Sequence, residues 1–503
     1  MSEKTALLSL DQGTTSSRAI IFSPNGLPLC QFQQEFAQSF PQPGWVEHDP
    51  EQIWQSCIAV LSQAIDYARS QGFQLVAMGI TNQRETTLIW DKTTGKALYP
   101  AIVWQDRRTQ NRCAQLREQG YETELQQRTG LLLDPYFSAS KLQWLLDTVP
   151  SARTLAEQNK LAFGTVDCFL IWRLSGGTVH ATDATNASRT SLYNLQRGDW
   201  DPELLRLFNI PKQILPSIKA CSDHFANTDH TILGISLPIC GVAGDQQAAA
   251  IGQGCISSGE VKCTHGTGSF MLLNTGDTAL ISRHRLLSTV AWKIGQQTHY
   301  GLEGSIFVSG ASVQWLRDNL KLIQRAADTE TLAASLDDNQ GVYLLPAFTG
   351  LGAPHWQANI AGAIFGLTRN TGPAHLARAS LESVAYQTRD LFEAMAADGQ
   401  LPSKVKVDGG MVANNWLCQF MADICATPLI RPKVLETTAL GAAFLAGLGC
   451  GLYQDIQNVV KLTEAERTFE PAMDTEQRLT LVANWHRAIQ ASFRFHNVEP
   501  TLE

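Results

Sequence analysis

At 503 residues the chain is longer than one hydrophobic core usually organises, which predicts two domains, while 44% hydrophobic and 17% charged content leaves no tract biased enough to be disordered. A net charge of −8, with Lys and Arg scattered along the chain, argues against a nucleic-acid face or an anionic-membrane surface, so an anionic ligand must be held by a local site. Eleven Cys without a CxxC pair and eleven His without HExxH argue against a disulfide framework and a structural zinc site.

Near the N-terminus Lys4 precedes an apolar run that ends at Asp11, too short for a secretion signal, and a cytoplasmic protein is expected. Ala6–Leu10, the turn Asp11-Gln-Gly-Thr-Thr-Ser and Arg18–Phe22 read as strand, tight turn and strand, with Pro24-Asn25-Gly26 as the next turn. A helix follows, with Asp49 as N-cap, Pro50 at N1 and Gln52 at N3. Its apolar face is Ile53, Cys57, Leu61, Ile65 and Ala68, and Gly72 stops it. Leu75–Ile80 reads as a buried strand, and the alternation of strands with helices indicates an α/β class.

Asp245 stands ahead of the helical run Gln246–Ile251 and reads as its N-cap. Residues 261–270, VKCTHGTGSF, then echo residues 8–17, LSLDQGTTSS: Gly13 aligns with Gly266, Thr14 with Thr267 and Ser16 with Ser269. A plain hairpin explains either turn alone. Their positions near the start of each half predict two similar domains, 1–253 and 254–503, each bringing a hydroxyl-rich turn to a shared cleft. Late in the chain Val405–Val407, the run DGGMVANN and Trp416–Ile424 read as strand, Gly-rich turn and helix, an arrangement in which a helix N-terminus faces phosphates; no Walker A sequence occurs, and by itself the motif fits a plain tight strand-to-helix connection equally well. Residues 436–447, ETTALGAAFLAG, read as a small-residue helix suited to close packing, and the Gly-interrupted apolar stretch Ala439–Tyr453 falls short of a membrane span.

Together with LDQGTTSSRA (10–19), GITNQRETT (79–87), TNASRT (185–190), GDQQAA (244–249), LEGSIFVSGASVQWLRD (302–318) and PAFTGLGAPHW (346–356), these segments resemble the FGGY carbohydrate kinases, on the actin-like ATPase fold. The resemblance runs from Leu8 to about Gly451. NQRE (82–85), WQDRR (104–108) and DPYFS (134–138) set the chain apart from pentulose and hexulose kinases and imply glycerol as the small-molecule substrate. The implied architecture is two similar actin-like ATPase (ribonuclease H-like) domains facing an interdomain cleft. ATP and Mg2+ are the implied cofactors, and a homo-oligomer, dimer or tetramer, is the implied assembly.

Phosphoryl transfer requires two anionic reactants to be aligned and their charge neutralised. Thr14, Thr15 and Ser16 in the first turn, and Thr267 in the second, offer hydroxyls and backbone N–H groups to phosphate oxygens. Asp11 sits among these groups, a poor place for a bare carboxylate unless a cation lies between, and Mg2+ held with Asp245 resolves the conflict. The resemblance implies further roles. Arg18 adds a positive charge at the transferring group, and Asp245 is the general base. Arg84, Glu85, Asp245 and Gln246 bind the substrate hydroxyls, and Trp104, Tyr136 and Phe270 cover its carbon face. The nucleotide lies against Gly310, Gln314, Gly410 and Asn414. Lys141 and Trp144 read instead as packing or interdomain residues.

Overall fold

In the computed structural model, which describes residues 4–357 and 359–498, the first strand–turn–strand forms as read: β1 (Lys4–Gln12) pairs antiparallel with β2 (Ser16–Phe22), placing Asp11 opposite Arg18. β3 (Pro28–Glu35) continues the hairpin on the other side of β2. Helix α1 (Pro50–Gln71) starts where Asp49 accepts the Glu51 N–H and stops at Gly72, whose φ of 68° is left-handed. Gln52 turns away from the cap and accepts from the Ala37 N–H. β4 (Phe73–Asn82) then lies parallel to β1.

Nine further strands complete a single sheet: β5 (Ser222–Asn227), β6 (Pro238–Gly244), β7 (Glu260–His265), β8 (Ser269–Gly276), β9 (Leu287–Ile294), β10 (Gln297–Ile306), β11 (Lys404–Asp408), β12 (Leu429–Pro432) and β13 (Ala465–Phe469). The order is β13-β12-β11-β7-β8-β10-β9-β5-β6-β4-β1-β2-β3. One pattern occurs twice in it. In β3-β2-β1-β4-β6 and again in β10-β8-β7-β11-β12, three antiparallel strands are followed by two parallel to the first of them. The echoed turns therefore occupy the same place in both patterns, between first and second strand. The two patterns join through β5 and β9, at the one register pair Ser222 and Ile294.

Helices cover both patterns. The α1 face packs on β1 and β4 through Leu8, Ile53, Leu61 and Ile80, while α4 (Pro373–Ala397) and α5 (Asn415–Cys425) bury Val384, Tyr386 and Met421 with Val405 and Val407 on the later strands. α2 (Asp245–Gly252) and α6 (Thr437–Gly449) press together across the sequence midpoint. A β-carbon on Gly441 would lie 1.8 Å from the Ala248 carbonyl oxygen, so only glycine permits this approach. The small-residue helix is thus a spacer-free contact, as its composition predicts. All eleven Cys are free and most are buried, and among the described residues no helix is long and apolar enough to cross a membrane.

Candidate active site

Both echoed turns are tight and internally bonded. In the first, the Gly13 N–H donates to the Ser16 carbonyl at 2.9 Å, and Gln83 on the adjoining segment donates to the Gln12 side chain and the Gly13 carbonyl, both at 3.1 Å. Thr14 accepts from the Trp104 indole N–H at 3.0 Å, and Thr15 is exposed. Ser16 is turned sideways, its hydroxyl accepting from Gln33 at 3.2 Å. In the second turn the Thr267 carbonyl takes the Ser309 and Ala311 N–H groups at 2.9 and 3.1 Å, which seats it on the start of helix α3 (Gly310–Asp318). Gly310 is pressed between the Gly266 carbonyl and the Met411 sulfur, so the turn that carries Gly410 borders the second echoed turn. Gln314 is exposed on α3, while Asn414 caps α5 by accepting the Leu417 N–H at 2.9 Å.

At the ends of β1 and β7 lies a cleft of about 640 Å³ whose walls include Asp11, Arg18, Thr264, Asp408, Gly410, Arg431 and Glu436. Arg18 reaches across it to Glu436 at 2.6 Å. Asp11 opens only partly to this cleft. Burial pushes its carboxyl up to about 7 against the pull of Arg18, and Asp245 and Glu436 push in the same direction as burial. The Asp11 carboxylate on the cleft wall offers hard oxygen donors of the kind that a divalent cation such as Mg2+ takes. A separate groove of about 860 Å³ between the Glu47–Glu51 and Thr94–Pro100 segments contains none of these residues.

Arg84 and Glu85 follow the end of β4, and Glu85 is held in the left-handed region at φ 61°. Both side chains are 2% exposed. Arg84 contacts Glu303 at 2.5 Å and Asp245 at 3.1 Å; Arg189 contacts Glu85 at 2.7 Å and Glu303 at 2.8 Å. Two guanidiniums and two carboxylates thus alternate in a buried, charge-balanced group with Asp245 at its edge. Burial pushes the Glu85 carboxyl up in spite of both arginines, whereas for the equally buried Glu303 the two arginines prevail and hold it below the usual range.

Asp245 is the first residue of α2 and not its cap, a role that falls to Gly244, because the chain enters the helix directly from β6. Its Oδ1 takes both Arg84 and the Gln246 N–H, the latter at 2.7 Å, and Oδ2 accepts no hydrogen bond from the described residues. The carboxylate is fixed through one oxygen and open at the other. Gln246 accepts from Lys262, which is fully buried on β7. The three expected aromatics come together, with ring centroids 5.7 Å apart for Trp104 and Tyr136 and 6.4 Å for Trp104 and Phe270. Trp144 packs edge-on against Trp45 as expected, whereas Lys141 does more than pack: it donates to the Tyr136 and Glu85 carbonyls at 2.7 and 3.3 Å. Arg189, Glu303 and Lys262 were not expected at the site. Their signal was a charge inside an otherwise apolar or small-residue run, Glu303 in LEGSIF above all.

The profile of the FGGY family of carbohydrate kinases, N-terminal domain, matches residues 6–252, and that of the C-terminal domain matches 261–450. The chain is 56% identical to glycerol kinase of Rhodospirillum centenum, covering 97% of this chain and 98% of that one, and 54% identical to glycerol kinase 1 of Pseudomonas aeruginosa, covering 96% and 98%. Among solved structures, Plasmodium falciparum glycerol kinase with ADP superposes with a TM-score of 0.93 at 33% identity, covering 97% of this chain and 98% of that one. Gluconate kinase from Lactobacillus acidophilus, at 23% identity and a TM-score of 0.87 over 98% of both chains, shares the fold.

Proposed function

The chain belongs to the FGGY family of carbohydrate kinases and groups with its glycerol kinases, and from that premise we propose that it transfers the γ-phosphoryl group of ATP to a terminal hydroxyl of glycerol, giving sn-glycerol 3-phosphate. The observation that carries the mechanism is Asp245, anchored by Arg84 and the Gln246 N–H through one oxygen while the other stays open. That oxygen orients the attacking hydroxyl and takes its proton late, as the loose transition state of phosphoryl transfer requires. Arg84, Glu85 and Gln246 bind the hydroxyls, and Trp104, Tyr136 and Phe270 exclude water from the carbon face. Thr14, Thr15, Ser16 and Thr267 bind the phosphates from opposite halves, 1–253 and 254–503, and Arg18 neutralises the group in transit. Gly310, Gln314, Gly410 and Asn414 hold the nucleotide beyond the second turn. Asp11 and Asp245 would hold Mg2+, partly through water, and the ion when bound would neutralise phosphate charge. The protein works in the cytoplasm, in glycerol catabolism, as a homo-oligomer.

An ADP-release assay across glycerol, dihydroxyacetone, xylulose, ribulose and no acceptor tests this. Glycerol is expected to be fastest, dihydroxyacetone slower and the pentuloses essentially inert; a pentulose turned over faster than glycerol refutes the substrate. Asp245→Asn should lower kcat by about 10²- to 10⁴-fold with nucleotide Kd preserved. A variant keeping more than about a third of parental kcat removes Asp245 as the base.

A further inference from the structure

Lys141 lies in the helix Ser138–Thr148 with no exposed surface, an expensive place for a lysine unless its ammonium group is used. Its donors meet two backbone carbonyls, those of Tyr136 and Glu85, which are far apart in sequence but adjacent at the acceptor pocket. The Glu85 carbonyl also accepts from the Ser138 hydroxyl at 3.1 Å and the Thr87 hydroxyl at 3.0 Å. Three donors converge on the carbonyl of a residue held in the left-handed region, where a non-glycine residue stays only if its surroundings hold it. From this geometry we propose that Lys141 is a positioning residue for the acceptor pocket, its ammonium group tying the Glu85 turn to the Tyr136 segment so that both present their side chains to the polyol. The proposal rests on the glycerol pocket described above.

Burial lowers the Lys141 ammonium to about 8, opposed by Glu85, Asp106, Asp134 and Cys113 around it. The protonated form makes the charge-assisted bonds, so the pocket should loosen as pH rises through that value. In the full-length enzyme, Lys141→Met is expected to raise KM for glycerol by roughly 10- to 100-fold, the usual effect of losing hydrogen bonds from a charged donor, with much smaller changes in kcat and in KM for ATP. KM for glycerol in the parent should climb above about pH 8, and this climb should be absent in Lys141→Met. Ser138→Ala, which removes a second donor from the Glu85 carbonyl without burying a new group, should raise KM for glycerol about threefold to tenfold, and it decides the matter if Lys141→Met does not fold. A lowered kcat with unmoved KM for glycerol in the folded variant, or an unchanged KM in Ser138→Ala where Lys141→Met fails to fold, overturns the proposal. Failure of the parent itself to phosphorylate glycerol would overturn the functional reading, and is seen without any variant. The positioning role is judged only from the variant-to-parent ratio of KM.

Discussion

The site's polar residues act as a set. Arg84 and Glu85 are adjacent in sequence, yet their charges are balanced chiefly by Glu303 and Arg189. Truncating Glu85 would therefore do more than remove a proposed hydroxyl ligand, because Arg189 would keep only Glu303. The cleanest probe of the group is Arg189→Ala, since Arg189 is not itself assigned to the substrate. It leaves two buried carboxylates sharing Arg84, which lies 2.5 Å from Glu303 and 4.0 Å from Glu85. Breaking a buried pair costs about 3–5 kcal/mol, because the uncompensated charge cannot reach water. Denaturant unfolding of Arg189→Ala should show a loss of that size. A loss below about 1 kcal/mol, the range of exposed pairs, would mean that water reaches the group. The family resemblance singles out Arg84 and Glu85 but not their partners, for the bond from Arg189 to Glu85 spans 104 residues and that to Glu303 spans 114.

Among the elements, α6 shows how composition predicts a property without its target. Its Gly and Ala content announces close packing, but nothing local says that the surface it meets is α2, the helix that Asp245 opens. Gly441 is where that contact is tightest. In Gly441→Ala the added methyl cannot share space with the Ala248 carbonyl, so the two helices must separate, at a typical overpacking cost of about 1–3 kcal/mol. Because α2 positions Asp245, both Tm and kcat should fall. Parental values of both would show that the helices separate without disturbing the site. A smaller departure of the same kind occurs at the start of α2. Asp before an apolar run ordinarily signals an N-cap, but here β6 feeds the helix directly, and the carboxylate is released from capping to pair with Arg84.

Across the whole molecule, the two strand patterns are joined at one register pair of the sheet, by the α2–α6 contact, and by Arg18 reaching Glu436. The last of these lies in the cleft itself. Arg18 and Glu436 are 32% and 38% exposed, so water and salt screen the pair and its intrinsic strength is small. It nevertheless occupies the guanidinium proposed to meet phosphate, and an incoming nucleotide must compete with Glu436 for it. Glu436→Gln should tighten nucleotide binding, most visibly at low ionic strength, in a titration comparing Kd at two salt concentrations. Weaker binding in that variant would show that Glu436 serves the ligand and does not compete with it.

Hydrophobic period, Gly and Pro punctuation and the repeated Gly-Thr-x-Ser turn are local properties, and from them alone came the α/β class, the first hairpin, α1 with both of its ends, the strand–turn–helix around Gly410 and the doubling of the pattern. Backbone preferences act over a few residues, so a single strand of sequence carries them. The continuous sheet, the α2–α6 contact, the partners of Arg84 and Glu85, the tie made by Lys141 and the pairing of Arg18 with Glu436 were decided only by the tertiary structure. Each depends on which distant segments are brought within hydrogen-bonding or van der Waals range, and a buried charge is satisfied by whatever neighbour the fold supplies, whatever its distance along the chain.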